Sequence, residues 1–464
     1  MNRPGTLYSF SFAKNRGWTT KYPSGLEITE YLAAVCAEYQ IVDKIQLNTE
    51  VRQLQWLEDA EEWEVTLAHL VPSTGDLSER DRQAKVDAEG EQSVYLATEI
   101  VRAKIVVSAV GGLVEPKVWP KDIPGIDTFE GEFIHTARWK PDADLKEKDI
   151  IVIGTGCSAS QVVPELIKPP YNARSVTQLM RSPPWVMPNR EEQKTEGVSS
   201  ILMRTIPGLL RFHVFSILEQ QWFRLFTNSK YARKHRPIVE ERYLRYMRAQ
   251  APEKYHEILT PNYQVGCKRR VLDSGWLRSL RESNVELTTS PLKSVQPRSV
   301  TLGPGRNYPP MSGVDSKIFA DEMTLPADVI ILANGYETNH WLLPLRVRGK
   351  GGNDLHDLWG ERGGAQAYLG IAIDKFPNFF VIVGPNTYTG HTSVILASEN
   401  SVNYSLNFIQ PILNGEVSTY EITEKAVRNW TDTIHTALKE TVFQSGGCRS
   451  YYKTDTDWNS TVYP

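Results

Sequence analysis

From residue 27 to 39 the apolar positions Ile28, Tyr31, Leu32, Val35, Cys36 and Tyr39 recur at helical spacing, which predicts one buried face of an amphipathic helix. The period then changes to two. Residues 51–57 and 63–67 alternate or are rich in β-formers, and the acidic turn 58–62 between them predicts a hairpin. Residues 73–92 are polar and aperiodic, and read as a loop insertion. Two later runs are apolar without alternation: AKIVVSAV at 103–110, closing in Gly111 and Gly112, and ADVIILA at 327–333, closing in Asn334 and Gly335. Continuous apolar runs of this kind belong to parallel strands covered on both faces. A further β-run at 378–383 leads into a loop rich in Gly, Asn, Thr and His over 384–392, then a helix-like stretch at 393–413.

A third apolar strand, 149–153, runs straight into Gly154-Thr155-Gly156-Cys157-Ser158-Ala159, with helix-like sequence at 160–168. That is the arrangement a dinucleotide pyrophosphate requires. Gly154 makes the tight turn, Gly156 lets backbone approach the phosphates, and Ala159 keeps the helix close to its strand, while the helix N-terminus offers free N–H groups. The competing reading is a tight strand-to-helix turn with incidental glycines. It is weakened by the next strand, 175–180, which falls in register and ends at Arg181, about 25 residues beyond Gly156. An NAD site usually carries an acid there for the ribose hydroxyl; a cation suits the 2′-phosphate of NADP. The position of this unit between the two apolar runs predicts an NADP-binding domain, 134–326, with a helical insert at about 195–260. That domain would interrupt a second α/β domain made of 1–133 and 327–464.

At 464 residues the chain exceeds one hydrophobic core, and 41% hydrophobic content is that of a globular protein. A net charge of −3 gives no argument for nucleic acid. Cys36, Cys157, Cys267 and Cys448 lack metal-ligand spacing and read as four thiols in a reducing compartment, hence a cytoplasmic location. No apolar run reaches the roughly 18 residues of a spanning helix. The nearest, 201–226, is broken by charges such as Arg204, Arg211 and Glu219, and reads as an amphipathic helical insert. A surface touching a membrane or an apolar substrate is the lesser alternative.

Just ahead of the glycine turn, Phe129-x-Gly131-x-x-x-His135-x-x-x-Trp139 is followed by Lys140. This pattern resembles the signature of Baeyer-Villiger monooxygenases; Lys140 stands where those enzymes usually have Pro or Asp and leans toward the sister flavin-containing monooxygenases. The likeness runs along the chain through Tyr8 to Phe12, Tyr22 to Gly25, Gly266 to Arg270, Ala333 to Tyr336, Gly384 to Ser393 and Cys448 to Tyr452. It implies an α/β, Rossmann-like flavoprotein with two dinucleotide-binding domains that uses FAD and NADPH. The reaction implied is insertion of one oxygen atom from O2 beside a carbonyl of a small hydrophobic substrate, in secondary metabolism for example. The resemblance further implies that Arg269 is the catalytic cation, that Lys268 joins Arg181 at the 2′-phosphate, and that Asn334, Gly335 and Asn386 lie on the cofactor. A fixed guanidinium in a dry site stabilises a developing oxyanion. For Lys268-Arg269-Arg270 alone, a solvated basic turn is the competing reading, as is a buried, hydrogen-bonded core histidine for His135.

The family carries a second glycine fingerprint, for FAD, which would lie ahead of Tyr8. Residues 1–464 contain one fingerprint, so the FAD domain is expected to be N-terminally truncated and discontinuous. Three activities stay open at this point: carbonyl oxygenation, oxygenation of nitrogen or sulfur, and a non-catalytic NADP-binding remnant. A pocket near Trp276, Tyr388 and residues 201–226 is expected to receive the substrate.

Overall fold

The computed structural model describes residues 8–15, 17–20, 23–188, 207–304, 321–389 and 393–463. Helix α1 (Gly25–Glu38) begins where Ser24 Oγ accepts the Glu27 N–H, and it buries Tyr31 and Val35 of the periodic face. Strands β1 (Thr49–Leu57) and β2 (Glu62–Leu70) form the expected hairpin, with Trp56 opposite Trp63. The polar segment 73–92 is a correction. It holds a helix, α2 (Glu79–Glu89), capped by Ser78, followed by β3 (Tyr95–Ala103) alongside β2. What α2 buries is Arg82, paired with Glu50 of β1 and with Glu79, so the helix carries no apolar period for a sequence reading to find.

The run 103–110 forms only a short strand, β4 (Val106–Ser108). Chain continuation then builds the inserted unit: β5 (Glu132–His135), β6 (Asp149–Ile153), α3 (Cys157–Leu166), β7 (Ser175–Leu179) and β8 (Val186–Met187). Helix α4 (Pro207–Gln221) continues through a π-helical turn, Trp222–Phe226, and α5 (Lys230–Gln250) follows; of the expected apolar insert, 201–206 lie outside the described residues. Among the described residues no helix is long and apolar enough to cross a membrane. Then come β9 (Val271–Leu272), β10 (Val285–Thr288), the antiparallel trio β11 (Leu292–Gln296), β12 (Ser299–Leu302) and β13 (Met323–Pro326), and β14 (Val329–Leu332).

The order β10-β7-β6-β14-β5 makes a five-stranded sheet, parallel throughout. This corrects the domain boundary. ADVIILA does not close the outer domain; it sits between β5 and β6 in the inserted one, so that domain extends past 326. The strands explain their own sequences. Ile150, Val152, Val329 and Ile331 face one core with α3, while Ile151, Ile330 and Leu332 face a second core beneath the β11–β13 sheet. Both faces are covered, so every position must be apolar.

The outer domain is completed by β15 (Arg346–Arg348), which pairs with β1, by β16 (Phe379–Val381), and by helices α6 (Val394–Leu413) and α7 (Glu424–Lys439). Its core holds Trp56, Trp63, Trp341, Trp359, Phe376 and Phe379, and the Trp63 indole N–H donates to the Pro377 carbonyl at 2.8 Å. β4 and β16 form a parallel pair, and no third strand joins them among the described residues. A separate cluster packs Trp185, Phe226, Val265 and Cys267 of the inserted unit against Ile434, Leu438, Phe443 and Tyr452 of the C-terminal segment.

Candidate active site

Strand β6 delivers the chain into the glycine turn. Gly154 has φ +121°, and a Cβ there would stand 2.6 Å from the Ala333 carbonyl oxygen, so only glycine fits between the strands. Its N–H donates to Leu179 O at 3.0 Å and its carbonyl accepts from Gln178 Nε2 at 2.8 Å, which ties the turn to β7. Gly156 is different. A Cβ there would meet no protein atom within 4 Å, so the space in front of α3 is open. Gly156 is also the N-cap of α3 and has no side chain to satisfy the first-turn amides of Cys157, Ser158 and Ala159. Thr155 is buried and donates to Ser182 O, while fully buried Ala159 allows the helix to lie against the sheet.

Beside this anion-seeking end stand cations. Arg181 follows β7, and Lys268 Nζ donates to the hydroxyl of the next residue, Ser182, at 2.7 Å while lying 4.7 Å over the Tyr263 ring. Burial, then the Arg181 charge, lower the Lys268 pKa to about 8. Arg181 is lowered as well, by burial and then by Arg449. The loop carrying Lys268 is held in place by pairing of β8 with β9 and by Tyr263, whose hydroxyl donates to Pro183 O and whose carbonyl accepts from the Trp185 indole.

The basic triplet divides by partner. Arg270 is buried and structural, donating to the Tyr243 hydroxyl and to Gln221 Oε1, with its guanidinium 5.5 Å over Phe226. Arg269 is exposed to solvent, with Tyr451, Tyr452, Cys157 and Tyr8 within electrostatic reach. Burial alone would lower its pKa; Tyr451, Cys157, Tyr452 and Tyr8 outweigh that, and the net shift is upward.

Tyr451 and Tyr452, their rings 4.5 Å apart, reach this place through a connection the sequence reading missed. The expectation of four thiols is wrong: Cys267 and Cys448 form a disulfide across 181 residues, while Cys36 and Cys157 stay thiols. Spacing cannot reveal such a pair. The signal available was that each cysteine directly precedes a basic residue in one of two family-like motifs, 266–270 and 448–452.

The signature residues occupy the root of β5. A Cβ on Gly131 would stand 2.3 Å from Asp328 O and 2.4 Å from the Phe129 ring, which accounts for the Phe-x-Gly spacing. His135 Nε2 donates to Asn334 Oδ1 at 3.0 Å and Nδ1 accepts the Ala137 N–H, so the ring is neutral; burial is the main cause of its lowered pKa. Asn334 donates onward to Val118 O, and Gly335 O accepts the Lys117 N–H, so His135 is linked through the end of β14 to the 115–118 connection. Trp139 packs on the inserted core. His135 is thus a partly buried, hydrogen-bonded residue at the end of β5.

One expectation needs revision. Trp276 is fully buried, its indole N–H on Gln178 Oε1, and cannot line a substrate pocket. Asn386 spends all three N–H donors on the C-terminal tail, its Nδ2 on Asn459 O and Val462 O and its main-chain N–H on Ser460 O. Gly335, with φ +93° and no atom within reach of a Cβ, does border open space. Of the expected loop, 390–392 lie outside the described residues.

Residues 19–236 match the family model described as flavin-binding monooxygenase-like. A Baeyer-Villiger monooxygenase of Streptomyces coelicolor is 32% identical over 99% of this chain and 79% of its own length. The FAD-binding monooxygenase ktnD of Aspergillus niger is 30% identical over 98% of this chain and 70% of its own. Among solved structures, cyclohexanone monooxygenase from Rhodococcus sp. Phi1 bound to NADP+ superposes with a TM-score of 0.75 at 23% identity, covering 100% of this chain and 85% of that one.

Proposed function

Since the chain belongs to the Baeyer-Villiger branch of the flavin-binding monooxygenases, we propose that it takes electrons from NADPH and inserts one oxygen atom of O2 beside the carbonyl of a small hydrophobic substrate. The observation that carries the reading is the open space before Gly156 at the α3 N-terminus, with Thr155 of the turn bonded to Ser182, the residue that follows Arg181 and accepts from Lys268. A dinucleotide with a phosphorylated ribose fits that donor set: amides of 157–159 for the pyrophosphate, two cations for the 2′-phosphate. NAD, lacking that phosphate, would forgo the charge-assisted contacts of both cations.

Bound FAD supplies the ring that accepts the hydride and activates oxygen; open space at Gly335 is compatible with it. The chain's own contribution to the chemistry is Arg269. Its guanidinium does not give up a proton at neutral pH, so it stabilises negative charge developing on the substrate oxygen without quenching it. The neutral His135 ring, through Asn334, ties the root of the nucleotide sheet to residues 115–118.

The test is oxygenation of cyclic and aryl ketones under labelled dioxygen, with FAD and NADPH supplied. One labelled atom should appear in the ester or lactone, and Arg269→Ala should lower turnover by roughly a hundredfold or more, the scale of losing one oxyanion donor. Product from sulfides or amines but from no ketone would assign the chain to heteroatom oxygenation instead.

A further inference from the structure

A third cation, Arg449, is tied by a disulfide to the chain segment that carries Lys268. Cys267 immediately precedes Lys268, and Cys448 immediately precedes Arg449. The bond between the two cysteines, with Cα atoms 6.1 Å apart, therefore sets Arg449 beside the strand of chain that presents Lys268 to Ser182. The backbone around it is closely fitted. Gln264 N–H donates to Gly446 O at 2.9 Å, Cys448 N–H points at Cys267 Sγ at 3.2 Å, and a Cβ on Gly446 would stand 2.6 Å from Cys267 Cβ. Arg449 meanwhile makes an ion pair with Asp455 in which both side chains are almost entirely solvent-exposed; such a pair contributes little and is readily exchanged for a stronger anion. The Arg449 charge also acts on Arg181, helping to lower its pKa after burial.

We propose that Arg449 is a further binding residue for the 2′-phosphate, and that the Cys267–Cys448 disulfide delivers it there, so that affinity for NADP is under redox control. This rests on the reading of Arg181 and Lys268 as the phosphate subsite. Cys267 is fully buried and Cys448 is partly exposed, so a dithiol reductant attacks the Cys448 sulfur. The S–S bond breaks, Cys267 leaves as thiolate and takes up a proton, and a mixed disulfide joins Cys448 to the reductant. The reductant's second thiol displaces Cys448 as a thiol, leaving the reductant oxidised by two electrons. Downstream, the tail stays pinned: Thr338 donates to Tyr451 O and Asn386 holds Asn459 and Val462. Release is thus confined to the few residues around Arg449, and NADPH itself is not consumed by the switch.

The experiment uses the full chain, oxidised and then reduced with dithiothreitol, titrated with NADP+ and separately with NAD+. Thiol counting after denaturation should give Cys36 and Cys157 before reduction and all four cysteines after it. Reduction should weaken NADP+ about tenfold, the scale of one charge-assisted contact, and leave NAD+ unchanged. Arg449→Ala should begin at the weaker NADP+ affinity and ignore reductant, and Arg449→Lys should recover part of the loss. Equal NADP+ affinity before and after reduction overturns the proposal, as does a parallel loss of NAD+, which would mark a merely structural tie, or four thiols in the unreduced protein. Failure of the underlying reading looks different: the oxidised protein would then show no preference for NADP+ over NAD+ at all.

Discussion

Two apolar runs of similar composition meet opposite fates. In the inserted domain, ADVIILA becomes β14, hydrogen-bonded on both edges, and Val329, Ile330, Ile331 and Leu332 are each 1% exposed or less. In the outer domain, AKIVVSAV becomes β4, three residues paired on one edge to β16, with Val107 45% and Val110 59% exposed. Both runs close in small residues beside glycine, and local sequence does not distinguish them. Burial is decided by neighbours. β14 has strands on either side, α3 on one face and the β11–β13 sheet on the other. The nucleotide turn stands on the first kind of scaffold, which is why Gly154 can be held against Ala333 O with no room for a methyl group.

The contrast is tested most strongly by truncation. Ile331→Ala removes packing from a closed core and should cost about 2–5 kcal/mol in urea unfolding, whereas Val107→Ala on the open strand should stay within about 0.5 kcal/mol. Equal losses would mean that the two strands share an environment. At the mouth of the inserted sheet, Arg181→Ala should weaken NADPH by about 1.5–3 kcal/mol, roughly ten- to a hundredfold, and barely change NADH; a loss shared by both nucleotides would place Arg181 in general folding instead. The smallest effect is the pH dependence of Lys268. Burial and Arg181 hold its pKa near 8, so its charge is full below that value and is lost as pH rises through it. Preference for NADPH over NADH should therefore decline across about one unit on either side of pH 8, and Lys268→Arg should flatten that decline because its guanidinium stays charged.

The site was more legible in the sequence than the scaffold around it. Gly154 and Gly156 were readable because backbone geometry demands glycine at fixed offsets from a strand, and Arg181 because it ends the next strand. Helix α2 was hidden because its buried position is an arginine, visible only once Glu50 is brought beside it. The assignment of 327–333 to the outer domain failed because a parallel strand returning from a long excursion carries no mark of which sheet it rejoins. Pairing of Cys267 with Cys448, and the consequent meeting of Arg269 with Tyr451 and Tyr452, depends on contacts across 181 residues that no local pattern encodes. At Asn386 the reverse holds: its motif is visible in the sequence, but the C-terminal tail that takes its donors is not.

The central claim is that the turn at 154–159 and the cations beside it hold a phosphorylated nicotinamide dinucleotide. Calorimetric titration of the purified, oxidised protein with NADP+ and then NAD+ tests it directly. NADP+ should bind at least about tenfold more tightly, the contribution of one charge-assisted phosphate contact. Equal affinity for the two nucleotides, or no heat with either, would contradict it.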